Sequence, residues 1–397
     1  MSRENLTPII QSFSMLNAWN NGRAVKDPLT PSHFYRKPTL FQKAWRTEKA
    51  SSNLDWGSEN FSYLLPESLT VLSSAFLRIE LPAVGNGAFY RKNPGMYAVE
   101  RVRVLSSGNV VYEADPRTFL RDYLESLSNE EYKTFCKTYL GRENSLTGDA
   151  RTVWCPIPLP NSHYLMRQAK GHSQGVLPCS FQNSRLEISI TMAPATALTN
   201  DGSQVGSINS ACFWEMNEVK MTPSLVNSYA KLTGDYNLIS RRFNDVTDWQ
   251  HAAADQPVTE VFQKLLGSIT ELIILAVPAA SDVDNRALDQ ENCIQPKNIQ
   301  FNVDSIVVRD FPTSDKCRIH LYQNGFVEND HVPTAARLCF GSHVAETHCF
   351  SGAFNMANSS NINLKFEFAQ ECKFKIISVQ YQHVTISNQG ALRAFIE

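Results

Sequence analysis

The side chains best suited to metal chemistry lie close together near the end of the chain. They are Cys339, His343, His348 and Cys349, and thiolates and imidazoles are ligands that Zn²⁺ prefers. Their order and spacing match no standard zinc site. The closely spaced His-x-His pairs of copper and cupin sandwiches do not occur either. We therefore interpret the four as neighbouring loop residues, and we predict no metal site and no cofactor.

Paired carboxylates are the other residues that suggest chemistry, because two of them could act as general acid and base. Glu130 and Glu131 form one such pair, and Asp282 and Asp284 form another. Adjacent acids at a helix start or in a turn are ordinarily solvated, and helix starts favour negative charge. The motifs HExxH, GxxxxGK and GxGxxG do not occur. We predict no catalytic residues and expect that the protein is not an enzyme.

Composition limits the class of protein. The chain has 397 residues, of which 43% are hydrophobic and 19% charged, with a formal net charge of −2. This length predicts two large domains or three small ones, and the apolar fraction excludes wholesale disorder. The near-neutral charge gives no overall basic surface for nucleic acid. The start lacks the pattern of a secretory signal, and the nine scattered cysteines form no CxxC pair, so we expect reduced thiols in an intracellular compartment.

The first 50 residues differ from the rest of the chain, and we interpret them as a basic N-terminal arm. Prolines at 8, 28, 31 and 38 interrupt any regular element. Basic residues outnumber acidic ones by eight to three; the basic ones are Arg3, Arg23, Lys26, Arg36, Lys37, Lys43, Arg46 and Lys49. Such an arm either packs along a neighbouring domain or meets an anionic surface such as packaged genome or lipid head groups.

From about residue 50 onward the pattern is typical of β-structure. Leu186–Met192 and Ile362–Phe368 alternate apolar and polar residues, which predicts antiparallel strands with one face on a core. Further strands are predicted at residues 76–81, 99–105, 110–113, 269–277, 299–303, 306–309, 317–322, 336–340 and 374–386. Within the last of these the apolar residues change phase between Ile376 and Ile377, which predicts a bulge or a change of facing.

A pair of helices interrupts the first half. Asp115 is a suitable N-cap with Pro116 in the first turn. Ser128 and Glu131 form a capping box for the second helix, which Gly141 can end. We predict a third helix at about residues 258–266.

The two halves of the chain resemble one another in the order of their elements. Residues 76–83 match residues 272–279 at an offset of 196, and a hairpin and a strongly alternating strand follow in each half. The repeat predicts two copies of one β-sandwich. The boundaries that we predict are 1–50 for the arm, 51–222 for the first sandwich, 223–234 for a linker and 235–397 for the second sandwich.

These ordered features resemble the double jelly-roll major capsid proteins of adenoviruses, tailless internal-membrane phages, virophages and large eukaryotic DNA viruses. The most specific element is Ser-Gly-Ala-Phe-Asn at residues 351–355, which is similar to a Ser/Thr-Gly-x-x-Asn element before a late strand of the large-virus members. The strand, Gly108 turn, strand and helical insert over residues 97–141 resemble a second block. The resemblance covers about residues 55–397, although the chain is shorter than most eukaryotic members.

The resemblance implies a mainly β fold of two consecutive antiparallel jelly-roll sandwiches, a double jelly roll, with a short helical insert in the first. It also implies a major capsid protein whose homotrimers form pseudo-hexameric capsomers of an icosahedral virion, assembled inside the host cell. The implied partners are other copies of the chain, penton and minor capsid proteins, and an inner membrane or genome through the N-terminal arm.

Other functions remain open at this point. A paired-jelly-roll glycan hydrolase needs acidic residues that converge between the sandwiches, and the sequence offers no compelling pair. A carbohydrate-binding or adhesin protein predicts clustered loop aromatics, and Trp56, Trp154, Trp214 and Trp249 do not cluster in sequence. A penton or minor capsid protein generally has one jelly roll, whereas the repeat predicts two.

Overall fold

The computed structural model describes most of the chain from residue 41 onward. The described residues are 41–67, 71–85, 87–143, 145–160, 177–179, 185–221, 236–262, 268–280, 293–326, 334–341, 352–356, 359, 361–386 and 392–396. Among them, no helix has both the length and the apolar character that a bilayer crossing requires.

The first sandwich consists of two antiparallel sheets. Sheet I has the strand order β1-β9-β3-β6, with β7 paired to β3, and sheet II has the order β2-β8-β4-β5. The strands are β1 (Phe41–Lys49), β2 (Phe61–Leu64), β3 (Val71–Leu81), β4 (Val99–Ser106), β5 (Asn109–Ala114), β6 (Arg151–Pro156), β7 (Leu177–Pro178), β8 (Leu186–Met192) and β9 (Cys212–Met221).

The second sandwich repeats this plan. Sheet III has the order β10-β19-β13-β16, with β11 and β20 paired to β19 and β17 paired to β13, and sheet IV has the order β12-β18-β14-β15. The strands are β10 (Tyr236–Asp245), β11 (Gln250–Ala252), β12 (Pro257–Phe262), β13 (Ser268–Pro278), β14 (Pro296–Val303), β15 (Ile306–Phe311), β16 (Ala336–Cys339), β17 (Phe354–Asn355), β18 (Ile362–Phe368), β19 (Cys372–Ile386) and β20 (Leu392–Ile396).

Two consecutive jelly rolls are therefore confirmed, since the same interleaved strand order occurs in both halves. Each sandwich has its own apolar core, one around Trp214 and the other around Phe366. The repeat holds for elements but not residue by residue. Leu77 faces the first core, whereas Ile273, its partner at the offset of 196, lies on the outer face of sheet III.

The predicted helical pair is confirmed as α1 (Pro116–Glu125) and α2 (Asn129–Tyr139). The Asp115 carboxylate accepts a hydrogen bond from the backbone N–H of Arg117 at 2.9 Å. Ser128 and Glu131 form the capping box. These contacts satisfy backbone donors that the first turn of a helix leaves unpaired.

Two predicted elements were wrong. Residues 317–322, predicted as a strand, belong to helix α3 (Ser314–Gln323), because Thr313 caps the helix and Cys317 and Leu321 share its buried face. Residues 257–262, which overlap the helix predicted at about 258–266, form strand β12. Val258 pairs with Phe366 of β18, so a place at the sheet edge overrides local helix propensity.

Part of the predicted N-terminal arm belongs to the first sandwich. Phe41–Lys49 forms β1, which pairs with β9 along its whole length. Residues 1–40 and the predicted linker, residues 223–234, lie outside the described residues. At Ile376 and Ile377 the strand has no bulge, since its pairing with β13 keeps one register there; the apolar pattern changes phase because Ile376 packs in the second core and Ile377 on the covered outer face of sheet III.

Gly141 follows the end of α2, and we expect that replacing it by alanine destabilises the first sandwich. Its φ of +71° is unfavourable for other residues, and an added Cβ would lie 2.6 Å from Cγ1 of Val153. We expect Gly141→Ala to lower the free energy of unfolding by about 2 kcal/mol, measured by denaturant titration. Gly108→Ala is the matched control, because φ there is +78° with no atom within 4 Å. An equal loss in both variants would contradict the close packing against Val153.

Candidate functional site: the seam between the two sandwiches

Helix α1 joins the first sandwich to the second. Its apolar side, with Leu120, Tyr123 and Leu124, packs in a small cluster with α2. The opposite side carries Asp122 and Glu125, and it lies on the outer face of sheet III. The amphipathic pattern that identified the helix therefore leaves a polar face for the second sandwich.

Six buried charged residues meet at this seam, and we call them the charged cluster. Three are on α1 and one each on β10, β13 and β16 of sheet III: Arg121, Asp122, Glu125, Arg241, Glu271 and Arg337. Each side chain is at most 6% exposed. Three positive and three negative charges give no net formal charge, as the burial of ions requires.

Hydrogen bonds within the charged cluster connect the two sandwiches directly. Asp122 accepts hydrogen bonds from Arg241 and from Arg337, both at 2.7 Å. Arg337 also donates to Glu271 at 2.9 Å and to Glu125. Arg121 donates to Glu125 at 2.8 Å along the same helix, and Arg241 donates to Glu271 within sheet III. The cluster is thus a branched network in which α1 supplies two of the acceptors for arginines of the second sandwich.

Arg337 is at the centre of this network. Burial by itself lowers the pKa of its guanidinium group, but Glu125, Asp122 and Glu271 outweigh that effect and hold the pKa well above its ordinary value. Arg337 therefore stays charged, and its planar group can serve several carboxylates at once. A residue in this position fixes the orientation of α1 on sheet III.

Apolar contacts surround the charged cluster and extend the seam. Ile273, Leu275, Ile377 and Val379 cover the same outer face of sheet III. Because this outer face is covered, β13 is buried on both faces, and its sequence is an almost unbroken apolar run. Further along the seam, Gln382 of β19 donates to the carbonyl oxygen of Val111 at 3.1 Å, and Val384 packs in the core of the first sandwich.

A cleft of about 780 Å³ lies beside the seam, and acidic residues line it. Carboxylates from both sandwiches line it, namely Glu59, Glu100, Glu113, Asp115 and Asp245. Asp115 caps α1 and pairs with Arg117 at 3.1 Å, Glu113 pairs with Arg103 at 3.2 Å, and Asp245 pairs with Lys375 at 2.6 Å. These three carboxylates have structural partners, which favours a structural role for the cleft.

Those residues singled out from sequence that the structure describes are not brought together in a reactive site. Cys339 lies in β16, and its backbone N–H contacts Nε2 of His320 at 3.1 Å, while His343, His348 and Cys349 lie outside the described residues. In the described ranges no three metal-ligating side chains are grouped as a metal site requires. Glu130 pairs with Lys133 at 3.4 Å and Glu131 caps α2, and Asp282 and Asp284 are not described.

The sequence also contains the Gly-x-Ser-x-Gly spacing of a nucleophile elbow, at residues 171–175. In α/β-hydrolases that motif needs a strand, a sharp turn and a helix in succession. Here residues 171–175 lie outside the described part, between β6 and β7 of an antiparallel sheet. The fold therefore gives no support to a nucleophile at Ser173.

Sequence reasoning missed the charged cluster. Its members are far apart in the chain: Asp122 and Arg241 are separated by 119 positions, and Asp122 and Arg337 by 215. One signal was available, because the apolar run at residues 272–277 lacks alternation. A strand of that kind in an antiparallel sheet has no solvent face, so something must cover sheet III.

Comparison with known proteins gives a match by structure alone. No protein-family model matches the chain, and no curated protein sequence does so. The PBCV-1 virus capsid protein superimposes with a TM-score of 0.62 at 12% identity, covering 91% of this chain and 98% of that one. The Faustovirus major capsid protein gives 0.61 at 9% identity, with 96% and 98% covered. The mavirus major capsid protein gives 0.59 at 8% identity, with 89% and 90% covered.

Proposed function

We propose that this chain, which has the double jelly-roll fold, is a major capsid protein whose homotrimers tile an icosahedral virion shell. The observation that carries the proposal is the combination of two jelly rolls with one strand order in a single chain and the similarity of fold over nine-tenths or more of two viral capsid proteins. Fold by itself does not assign function. The seam adds the physical property that such a role requires.

That property is a fixed geometry within each subunit. Two similar rolls side by side give each chain two corners, so a trimer has six corners and can fill a hexagonal lattice. Regular tiling requires that the angle between the rolls be the same in every copy. The charged cluster supplies this constraint, because hydrogen bonds from Arg337 and Arg241 hold α1 in one orientation.

The other partners belong to the same proposal. Residues 1–40 precede β1 and retain five of the basic residues of the predicted arm. They would extend beneath the sandwich and contact neighbouring capsomers, minor capsid or penton proteins, an inner membrane or the genome. Such contacts would place the chain in the virion after assembly inside the host cell. A glycan-hydrolase function has less support, because carboxylates in the cleft already pair with Arg103, Arg117 and Lys375.

The first experiment is the native mass of the purified chain, by light scattering or mass photometry over a range of concentrations. We expect a dominant species at three times the chain mass of 44.6 kDa. Negative-stain images of that species should show a particle with six-fold-like corners. A monomer at every concentration would contradict the proposal and favour the hydrolase or sugar-binding alternatives.

A further inference from the structure

Strand β16 is at one edge of sheet III, and the backbone N–H of Cys339 points off that edge. The N–H of the next residue, Phe340, donates to the carbonyl oxygen of Thr270 in β13 at 2.9 Å. Because successive backbone N–H groups of a strand point to opposite sides, the N–H of Cys339 points away from β13. Cys339 is fully buried, and a buried N–H without an acceptor is costly. A group outside the sheet therefore has to accept this hydrogen bond.

The imidazole of His320, on helix α3, supplies that acceptor. Its Nε2 accepts the N–H of Cys339 at 3.1 Å, which requires that Nε2 carry no proton. The other ring nitrogen, Nδ1, lies 3.5 Å from Nδ2 of Asn324, an amide group that donates to the carbonyl oxygen of His320 at 2.8 Å. Both ring nitrogens therefore face N–H donors, and a doubly protonated ring would have no acceptor at either one in the described part of the chain. The contact fits the neutral form of His320.

The groups around the ring also disfavour a positive charge. The ring of Phe311 in β15 lies 4.9 Å from that of His320, and Arg309 precedes Phe311 by two residues in the same strand. A histidine in the last turn of a helix ordinarily gains from being charged. Here burial lowers the pKa of His320, and the positive charge of Arg309 lowers it further. The environment of the ring and its hydrogen bond to Cys339 thus favour the same protonation state.

No counter-charge for a protonated His320 comes from α3 or from β14, β15 and β16, the strands that pack on it. The two acids of these elements, Asp310 and Asp315, are exposed, and neither acts on the pKa of His320. Burial raises the pKa of the Cys317 and Cys339 thiols, so both stay neutral. The remaining charged residues of these elements are all basic, namely Lys297, Arg309, Lys316, Arg318 and Arg337.

We infer that His320 is a pH switch, which holds α3 on β16 while the ring is neutral and releases α3 when the ring takes up a proton. Protonation converts the acceptor at Nε2 into a donor that faces the N–H of Cys339. It also places a second positive charge beside Arg309. Both effects weaken the contact between α3 and the edge of sheet III.

The direction of the pH dependence follows from the closed and open states of α3. A histidine in an open segment takes up a proton below a pH of about 6.5, whereas His320 in the closed state stays neutral to a lower pH. The closed state therefore loses stability as the pH falls below about 6.5, and the loss ends only when the closed state is protonated as well. For a shell protein, this would loosen the second sandwich in mildly acidic surroundings; that consequence alone rests on the proposed function.

Hydrogen exchange of the wild-type chain, measured by mass spectrometry at pH 7.5 and pH 5.5, tests the switch. The rates are corrected for the intrinsic pH dependence of exchange. We expect the open fraction of α3 and β16 to rise by up to about tenfold at the lower pH, as the proton linkage of one group allows. Strand β18 (Ile362–Phe368), in the same core, is the internal reference. Unchanged protection of α3 at both pH values, or an equal rise in β18, would overturn the inference.

Two variants assign the response to one histidine. In His320→Gln, the amide oxygen can accept the N–H of Cys339 but does not titrate, so the protection of α3 should no longer depend on pH. His251→Gln is the matched control, because His251 is exposed on β11 and pairs with Glu371 at 2.8 Å, so the acid response of α3 should remain. If α3 opened with acid in His320→Gln as it does in the wild type, His320 would not be the switch. These measurements follow the single chain whatever its native mass, so their failure leaves the capsid proposal intact.

Discussion

Arg337→Met should lower the free energy of unfolding by about 3–5 kcal/mol, the typical cost of removing one partner from a buried ion pair. Arg337 is 1% exposed and contacts Asp122, Glu125 and Glu271. Its loss leaves three buried carboxylates with two arginines, so one negative charge is uncompensated in the seam. Methionine preserves much of the side-chain volume, so the loss reports mainly on charge. Denaturant titration followed by tryptophan fluorescence measures the change.

Two further variants make the interpretation specific. Arg103→Met removes an arginine whose pair with Glu113 is partly exposed, and we expect a loss of at most about 1 kcal/mol. Arg337→Met combined with Glu125→Leu removes one charge of each sign and should recover part of the loss, since balanced removal of buried ions is often close to neutral. If the single Arg337 variant were as stable as the Arg103 control, the charged cluster would not hold the sandwiches together.

Trp214→Ala should be about as severe, with a loss of about 3–5 kcal/mol. Trp214 is fully buried in the first core, and its ring stacks on that of Tyr63 with centroids 4.8 Å apart. Truncation leaves a large cavity between sheets I and II that rigid sheets cannot close. We expect a lower denaturation midpoint in a denaturant titration.

Trp214→Phe separates the effect of volume from that of polarity. In the described part of the chain, the indole N–H of Trp214 has no hydrogen-bond partner, and a buried unsatisfied donor costs about 1–3 kcal/mol. Phenylalanine removes that donor and keeps an aromatic ring against Tyr63, so we expect a change within about 1 kcal/mol of wild type. A loss as large as that of the alanine variant would indicate a hydrogen bond to the indole, in contradiction to this packing.

Most of the fold was predictable because its signals are local. Alternation identified Leu186–Met192 and Ile362–Phe368, which are strands of the same bounds. Caps at Asp115 and Ser128 identified α1 and α2. In each of these cases the residue pattern and the tertiary environment favour the same structure.

The two wrong elements show where local patterns are ambiguous. Cys317, Ile319 and Leu321 alternate with polar residues, which is typical of a strand, but Cys317 and Leu321 are also four residues apart and fit one face of a helix. The cap at Thr313, which accepts a hydrogen bond from the backbone N–H of Lys316 at 3.4 Å, favours the helix. A strand would have placed Ile319 on the same face as Cys317 and Leu321, whereas in the helix Ile319 is exposed.

The candidate site depends on long-range contacts and could not be derived from the sequence. Asp122 and Glu125 are ordinary polar residues of an amphipathic helix when only their neighbours are considered. They are buried through contacts with Arg241 and Arg337, which belong to the other sandwich. The same holds for Trp45, whose partners Phe76 and Trp154 lie on other strands of sheet I.

Strand β19 contributes to the cores of both sandwiches, and this affects when each sandwich can fold during synthesis. Its first residues pack in the second core, but Val384, near its end, belongs to the core of the first sandwich. During synthesis at about 5–20 residues per second, N-terminal domains generally fold first. Here the first sandwich cannot complete its core until Val384 has left the ribosome, after most of the second sandwich has been synthesised. A chain that stops before β19 therefore lacks a strand of the second sandwich and also lacks Val384 of the first core.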